Sequence, residues 1–323
     1  MDPKLKPAVE LLKAYDGLRG RNLSIDMTRG KPSPEQLDLS EGLLEAMSAD
    51  DCRGEDGADY RNYGFLDGIP EAKRFFADYM DVSPDEIIVG GSASLTMMYD
   101  TLASAVLFGM PGGESPWKDQ KSAKFLCPVP GYDRHFAICE QLGIEMINIP
   151  MNDEGPDMDA VEAAVKDDPS VKGMWCVPKY SNPTGVTYSD AVVGRLAAMP
   201  VAAGDFRVIW DNAYAVHDFN LPRRPLDPIM QFARRSETQD HVIMFASTSK
   251  ITYPSGGLAF LASGPAVLKA LEQHLSASSI GPDKVNQLRH ARFLSGRLEQ
   301  HMAQHAALIK PKFELVEEAL SNG

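Results

Sequence analysis

The chain has 323 residues, 24% of them charged and 44% hydrophobic, with a formal net charge of −13 and a mean hydropathy of −0.23. That length exceeds what one hydrophobic core organises, which points to one large domain plus part of a second, and the negative charge argues against nucleic acid or an anionic membrane as partner. Cys52, Cys127, Cys139 and Cys176 show no C-x-x-C spacing and read as reduced core residues; residues 1–21 lack the apolar core of a signal peptide, so a cytoplasmic location is expected.

Residues 3–18 place Leu5, Val9, Leu12 and Tyr15 at the spacing of an amphipathic helix. Met27-Thr28-Arg29-Gly30-Lys31-Pro32 reads as a turn around Gly30. Asp59-Tyr60-Arg61-Asn62-Tyr63-Gly64, with Gly68 and Pro70, is an aromatic turn before a helix over 71–79. A short strand over 86–89 runs into Gly90-Gly91-Ser92-Ala93-Ser94 and a helix to Phe108. Small residues at a helix N-terminus leave backbone N–H groups and the positive dipole end open to an anion, whereas a plain N-cap accounts for one serine only. Glycines, hydroxyls and Asp100 interrupt the apolar stretch 87–110, so it does not read as a membrane span.

A strand over 124–127 leads to the turn Pro128-Val129-Pro130-Gly131-Tyr132, and strands follow at 145–149 and 172–177 with a helix over 158–165 between them. Ser181-Asn182-Pro183-Thr184-Gly185 is a rigid turn at a strand's end, and Ser189 can cap a helix through Met199. The apolar run from Val208 ends in Asp211, with the Tyr214 phenol three residues on. Residues 221–228 are proline-rich and read as a surface wrap. The run 242–245 ends in Ala246-Ser247-Thr248-Ser249-Lys250: a buried strand delivering an amine among small side chains, where burial would lower its pKa. After the loop 253–257, residues 258–262 form a last strand whose direction the pattern leaves open. From Ser279 to Leu320 the pattern is helical, with Pro311 kinking or dividing a long helix. His301 and His305 lie i, i+4, but no third metal ligand accompanies them, so they read as a polar helix face.

Asn182, Asp211, Tyr214 and Lys250 thus stand at strand ends, where an open α/β sheet gathers ligand-binding residues. Together these motifs resemble those of fold type I pyridoxal-phosphate (PLP) enzymes, more narrowly the aspartate aminotransferase family; Ser279 to His290 resembles its type Ic subgroup. The resemblance implies an α/β fold: a three-layer α/β/α large domain with a mostly parallel seven-stranded sheet, its last strand antiparallel, plus an incomplete small domain. The expected division is 1–58, an N-terminal helix and arm belonging to the small domain; 59–295, the PLP-binding domain; and 296–323, an interdomain helix, with the C-terminal small domain lacking.

The resemblance also implies pyridoxal 5′-phosphate as cofactor and no metal. Lys250 would hold the cofactor aldehyde covalently, Asp211 its ring nitrogen, and Asn182 and Tyr214 its ring hydroxyl. Ser92, Ala93 and Ser94 would cup the phosphate with help from the Ser247 and Ser255 hydroxyls, and Tyr132 would stack on the ring. Tyr63 would reach the phosphate of a neighbouring subunit, which implies a homodimer. Gly30 would lie over the substrate carboxylate, and Asn182 would also bind the substrate. The implied reaction moves an amino group between an amino acid, aspartate by subgroup likeness, and a 2-oxo acid such as 2-oxoglutarate. A PLP lyase and a non-catalytic PLP-binding module are the rivals.

Two departures qualify the resemblance. The family's phosphate-pairing arginine, eight residues after the lysine, is Leu258 here, so modest cofactor affinity is expected. Family members also continue by about a hundred residues into a small domain carrying the arginine that forks onto the substrate α-carboxylate, and no residue here takes that role. For a second substrate carboxylate Lys284, Arg289 and Arg29 are candidates, although each reads more readily as a solvated charge or structural ion pair.

Overall fold

The strands are short runs of Val, Ile, Met and aromatic residues, and a sheet covered on both faces favours such runs over polar alternation. The structure, a computed structural model, describes residues 8–26, 30–219 and 226–321. The chain forms two compact units, residues 1–34 and 35–323. The first contains helix α1 (Ala8–Gly20), whose side chains are all exposed, including the stripe of Val9, Leu12 and Tyr15. Met27 to Arg29, and residues 220–225 of the proline-rich segment, lie outside the described residues.

The second unit begins with short helices α2 (Pro34–Asp38) and α3 (Gly42–Glu45), then α4 (Pro70–Met80), strand β1 (Ile87–Val89) and α5 (Ser94–Phe108). Next come β2 (Lys124–Val129), α6 (Asp133–Leu142), β3 (Glu145–Asn152), β4 (Gly155–Pro156), α7 (Met158–Val165), β5 (Val171–Cys176), α8 (Asp190–Ala198) and β6 (Arg207–Asp211). The remainder is α9 (Ile229–Arg235), β7 (Val242–Ser247), β8 (Ala259–Ser263), α10 (Pro265–Ser278), α11 (Lys284–Leu294) and α12 (Leu298–Ser321).

The sheet order is β1-β8-β7-β6-β5-β2-β3-β4. Strands β7, β6, β5, β2 and β3 are parallel neighbours, while β8 runs antiparallel to both β7 and β1. The sheet therefore has eight strands rather than seven. The addition is β4, a two-residue arm pairing with the end of β3, too short to leave a pattern in sequence.

The period of two distributes each strand between two cores. Val208 and Trp210 of β6, with Val242, Met244 and Ala246 of β7, face one cluster that includes Phe76 of α4, Val161 of α7, Val193 of α8 and Ile229 of α9. Ile209, Ile243 and Phe245 face the other, with Leu102 of α5, Ile138 of α6 and Leu268 of α10. Helices thus cover both faces, giving the three α/β/α layers. Pro311 does not divide α12, which runs unbroken from Leu298 to Ser321. Pro311 is exposed, so the N–H it lacks belongs to a wet helix face where the missing bond costs least. Among the described residues no helix is long and apolar enough to cross a membrane.

Candidate active site

The carboxyl ends of β7, β6 and β5 lie side by side, and the turns that follow them carry the polar residues. After β7 the chain makes a tight turn whose ends are tied to the return loop: Thr248 N donates to Leu258 O at 2.8 Å and Leu258 N to Thr248 Oγ1 at 2.9 Å. Ile251 N and Thr252 N both donate to Thr248 O. Gly257 permits this closure, because a Cβ there would stand 2.8 Å from Ser249 Cα. Lys250 projects from the turn, its Nζ 4.7 Å from the centroid of the Tyr214 ring. The side chain is reachable by solvent, yet the protein around it is dense enough that burial lowers the ammonium pKa; the nearby Asp211 carboxylate partly opposes this.

Asp211 ends β6 and is 4% exposed. Its Oδ2 lies 3.1 Å from His135 Nε2, and its buried Oδ1 has no hydrogen-bond partner. His135, on the first turn of α6, stacks on Trp175 of β5 at 4.2 Å and 8°, and Trp175 Nε1 donates to Cys139 Sγ at 3.2 Å. Tyr132 packs edge-on against His135 at 5.0 Å. The Tyr214 phenol is pushed up first by burial, then by the Asp211 charge and the Tyr132 phenol beside it, so it stays a donor.

The remaining expected residues divide in two. Ser92, Ala93 and Ser94 begin α5, where Ala93 occupies the N-cap and no side chain caps the first turn, leaving its amides open to a ligand. Ser249 Oγ donates to Ser92 O at 2.6 Å, which joins this turn to the Lys250 turn. Ser247 ends β7, 8% exposed. Asn182 is half-buried on the loop after β5. That loop is locked beside Tyr214: Lys179 Nζ donates to Asp218 Oδ2 at 2.7 Å and Ala215 O at 3.1 Å, and Tyr180 Oη donates to Asp218 Oδ1 at 2.8 Å. Tyr63, by contrast, is 77% exposed on its loop. Gly30 lies in the unit 1–34, and Arg29 outside the described residues.

Several readings from sequence change. His301 and His305 form no polar helix face: both are buried, with Nε2 2.5 and 3.1 Å from the Ile251 carbonyl. No group of metal-ligating side chains occurs among the described residues. Lys284 is 7% exposed, not solvated, and Arg289 donates to Asn286 Oδ1. Leu258 is buried in the first core cluster, where an arginine side chain would be costly. His135 and Ser249 were missed, although His135 follows Tyr132 by three residues, the spacing that shares a helix face. A cavity of about 1300 Å³ lined in part by α4 and α12 includes none of Lys250, Asp211, Tyr214 and Asn182, so chemistry rather than size locates the site.

The unpartnered Oδ1 of Asp211 decides what fits: a buried carboxylate oxygen with one side free suits a protonated ring nitrogen, as in pyridoxal phosphate. The whole-chain comparison agrees, since residues 4–323 match the aspartate amino-transferase family. The chain belongs to that family. It is therefore a pyridoxal-phosphate-dependent aminotransferase, with the α/β fold type I architecture of its relatives. Among those relatives, the aspartate aminotransferase of Corynebacterium glutamicum is 44% identical over 315 residues, covering 97% of this chain and 73% of the relative. A crystal structure of an aspartate transaminase from the same organism superposes with a TM-score of 0.93 at 44% identity, over 97% of this chain and 74% of that one. The α-aminoadipate aminotransferase of Thermus thermophilus, solved in complex with N-(5′-phosphopyridoxyl)-L-leucine, shares the fold at 23% identity and a TM-score of 0.73, over 91% of this chain and 70% of that one. This aminotransferase chain thus spans about three quarters of the length of these relatives.

Proposed function

We propose that this aminotransferase exchanges the amino group of aspartate with 2-oxoglutarate, using Lys250, Asp211 and Tyr214 as its catalytic groups. The observation that carries the reading is the Lys250 amine above the Tyr214 ring, beside a carboxylate with one buried oxygen free. When bound, pyridoxal phosphate supplies an aldehyde that condenses with amines and a protonated ring that accepts the electron pair left at the substrate's α-carbon.

The protein's own part follows from the positions above. Burial depresses the Lys250 ammonium, so more free amine is available to attack a carbonyl and later to carry a proton from the substrate α-carbon. Asp211, held by His135, keeps a fixed negative charge against the ring nitrogen; this is electrostatic preorganisation without proton transfer. Tyr214, pushed up and thus protonated, donates to the ring oxygen together with the Asn182 amide, whose loop the Lys179–Asp218 pair holds in place. The open amides of Ser92 to Ser94 receive the phosphate at a helix N-terminus, assisted by Ser247, and Tyr132 covers the ring. Tyr63 serves the site of a second copy, so the working form is a homodimer, in the cytoplasm. The division into residues 1–58, 59–295 and 296–323 belongs to the same reading.

Aspartate is preferred as donor because a relative at 44% identity bears that activity in its name. The test is amino exchange between aspartate and 2-oxoglutarate, with Lys250→Ala as control. Activity in the parent and its loss in the variant are expected; equal rates would overturn the assignment of Lys250.

A further inference from the structure

Lys250 stands between two anchored points of the chain. Before it, Thr248 is fixed to Leu258 through both backbone and side chain. Beyond it, the carbonyl of Ile251 accepts from three side chains: His301 Nε2 at 2.5 Å, His305 Nε2 at 3.1 Å and Ser40 Oγ at 3.4 Å. The two imidazoles sit one helical turn apart on α12, with ring centroids 4.7 Å from each other, and both must carry their hydrogen on Nε2 to donate. Three donors converging on one oxygen, two of them from one helix turn, leave that carbonyl little freedom to rotate.

Packing alone does not call for imidazoles here. The buried face of α12 meets Leu43, Val216, Ile251, Phe293 and Leu294, an apolar cluster that also holds Met302 from α12 itself. Leucine would fill positions 301 and 305 in that setting without the cost of burying polar rings. Burial holds both imidazoles below their ordinary pKa, His305 down to about 4, so the pair is neutral near pH 7. The titratable groups around the arrangement are His217, which feels the charges of Lys250, His305 and Lys179; His290, whose Nε2 lies 3.4 Å from Thr252 Oγ1; and Asp211 and Tyr214, which lie near Lys250.

We propose that His301 and His305 are positioning residues for Lys250: a pair of imidazole donors on α12 that fixes the Ile251 carbonyl and so holds the amine in the cleft over Tyr214. The inference rests on the assignment of Lys250 made above. Without the pair, the residues following Lys250 can shift, and its amine leaves the dense surroundings over Tyr214 that lower its pKa.

The test is the pH dependence of Lys250 acetylation by a pulse of acetic anhydride, applied to the full chain freed of cofactor and read by peptide mass spectrometry. In the parent the midpoint should lie below the usual lysine value. In the double variant His301→Leu/His305→Leu it should rise by about one pH unit, a tenfold loss of free amine, as the group moves away from the packed surroundings that disfavour its charge. The variant His301→Gln/His305→Gln keeps an N–H donor at each place and should restore the parent midpoint. A folded leucine variant with an unchanged midpoint overturns the proposal, as does a glutamine variant that behaves like leucine. Should the double leucine variant not fold, His305→Leu against His305→Gln carries the same comparison with the same two outcomes. Lys250→Ala separates the layers of argument: if that variant keeps cofactor-dependent visible absorbance and exchange activity, the lysine assignment fails whatever the imidazoles do.

Discussion

Asp211 has two oxygens in different situations, one against His135 and one buried with nothing to accept from. A buried carboxylate oxygen without a partner costs free energy, which is tolerable where a ligand's N–H would satisfy it. The same charge acts on Lys250, raising its pKa against the burial that lowers it. Asp211→Asn removes that opposing influence, so the Lys250 acetylation midpoint should move further down, not up. Amino exchange should meanwhile fall by about a hundredfold or more, because the fixed charge facing the ring nitrogen is gone. A midpoint that rises or stays in place would show that Asp211 and Lys250 do not share one field.

At the scale of elements, the loop after β5 and the segment after β6 are joined by one buried pair, Lys179 and Asp218, at 3% and 8% exposure. Removing one partner strands the other charge in the interior. Lys179→Met should therefore cost about 3–5 kcal/mol, while Lys179→Met with Asp218→Leu costs less than the single change. Denaturant midpoints of the single and double variants check this; additive losses would mean the pair is not coupled. The elements themselves were unevenly legible. β6 and β7 announce themselves because both faces are buried, and α8 because Ser189 does accept from Val192 N as an N-cap. Helices α6, α9 and α10 left weaker signals: α9 has seven residues, and α10 buries only Val267, Leu268 and Leu271. Within the candidate site, Lys250, Asp211 and Tyr214 stood out in the sequence since each lies at or just after a strand end. His135, Ser249 and the His301–His305 pair were not, because their roles depend on partners 76, 157 and about 50 positions away in the chain.

Across the described residues of the unit 35–323, five buried or half-buried imidazoles from four parts of the chain share a depressed basicity: His217 after β6, His241 before β7, His290 on α11, and His301 and His305 on α12. Burial is the first cause in every case; His217, at about 3, also feels the Lys250 charge, while His290 and His305 lie at about 4. The unfolded chain takes up protons on these rings near 6.5 and the folded chain does not, so their contribution is intact above 6.5 and is lost as pH falls through the folded values. A ring held from 6.5 down to about 4 corresponds to roughly 3 kcal/mol by pH 4, an upper bound for each of His290 and His305. Carboxylates act in a lower window: Asp168, held at about 2 by Ser170 and Lys124, loses its contribution only below 3.8. Urea midpoints taken from pH 7.5 to 3.5 should therefore drop most steeply between 6.5 and 4. His290→Gln, with no proton to bind, should be less stable than the parent at pH 7.5 but lose less over that interval, so the two curves converge as acid is added. Parallel curves, or a parent whose midpoint is flat down to pH 4.5, would show that these imidazoles do not stay neutral in the folded chain.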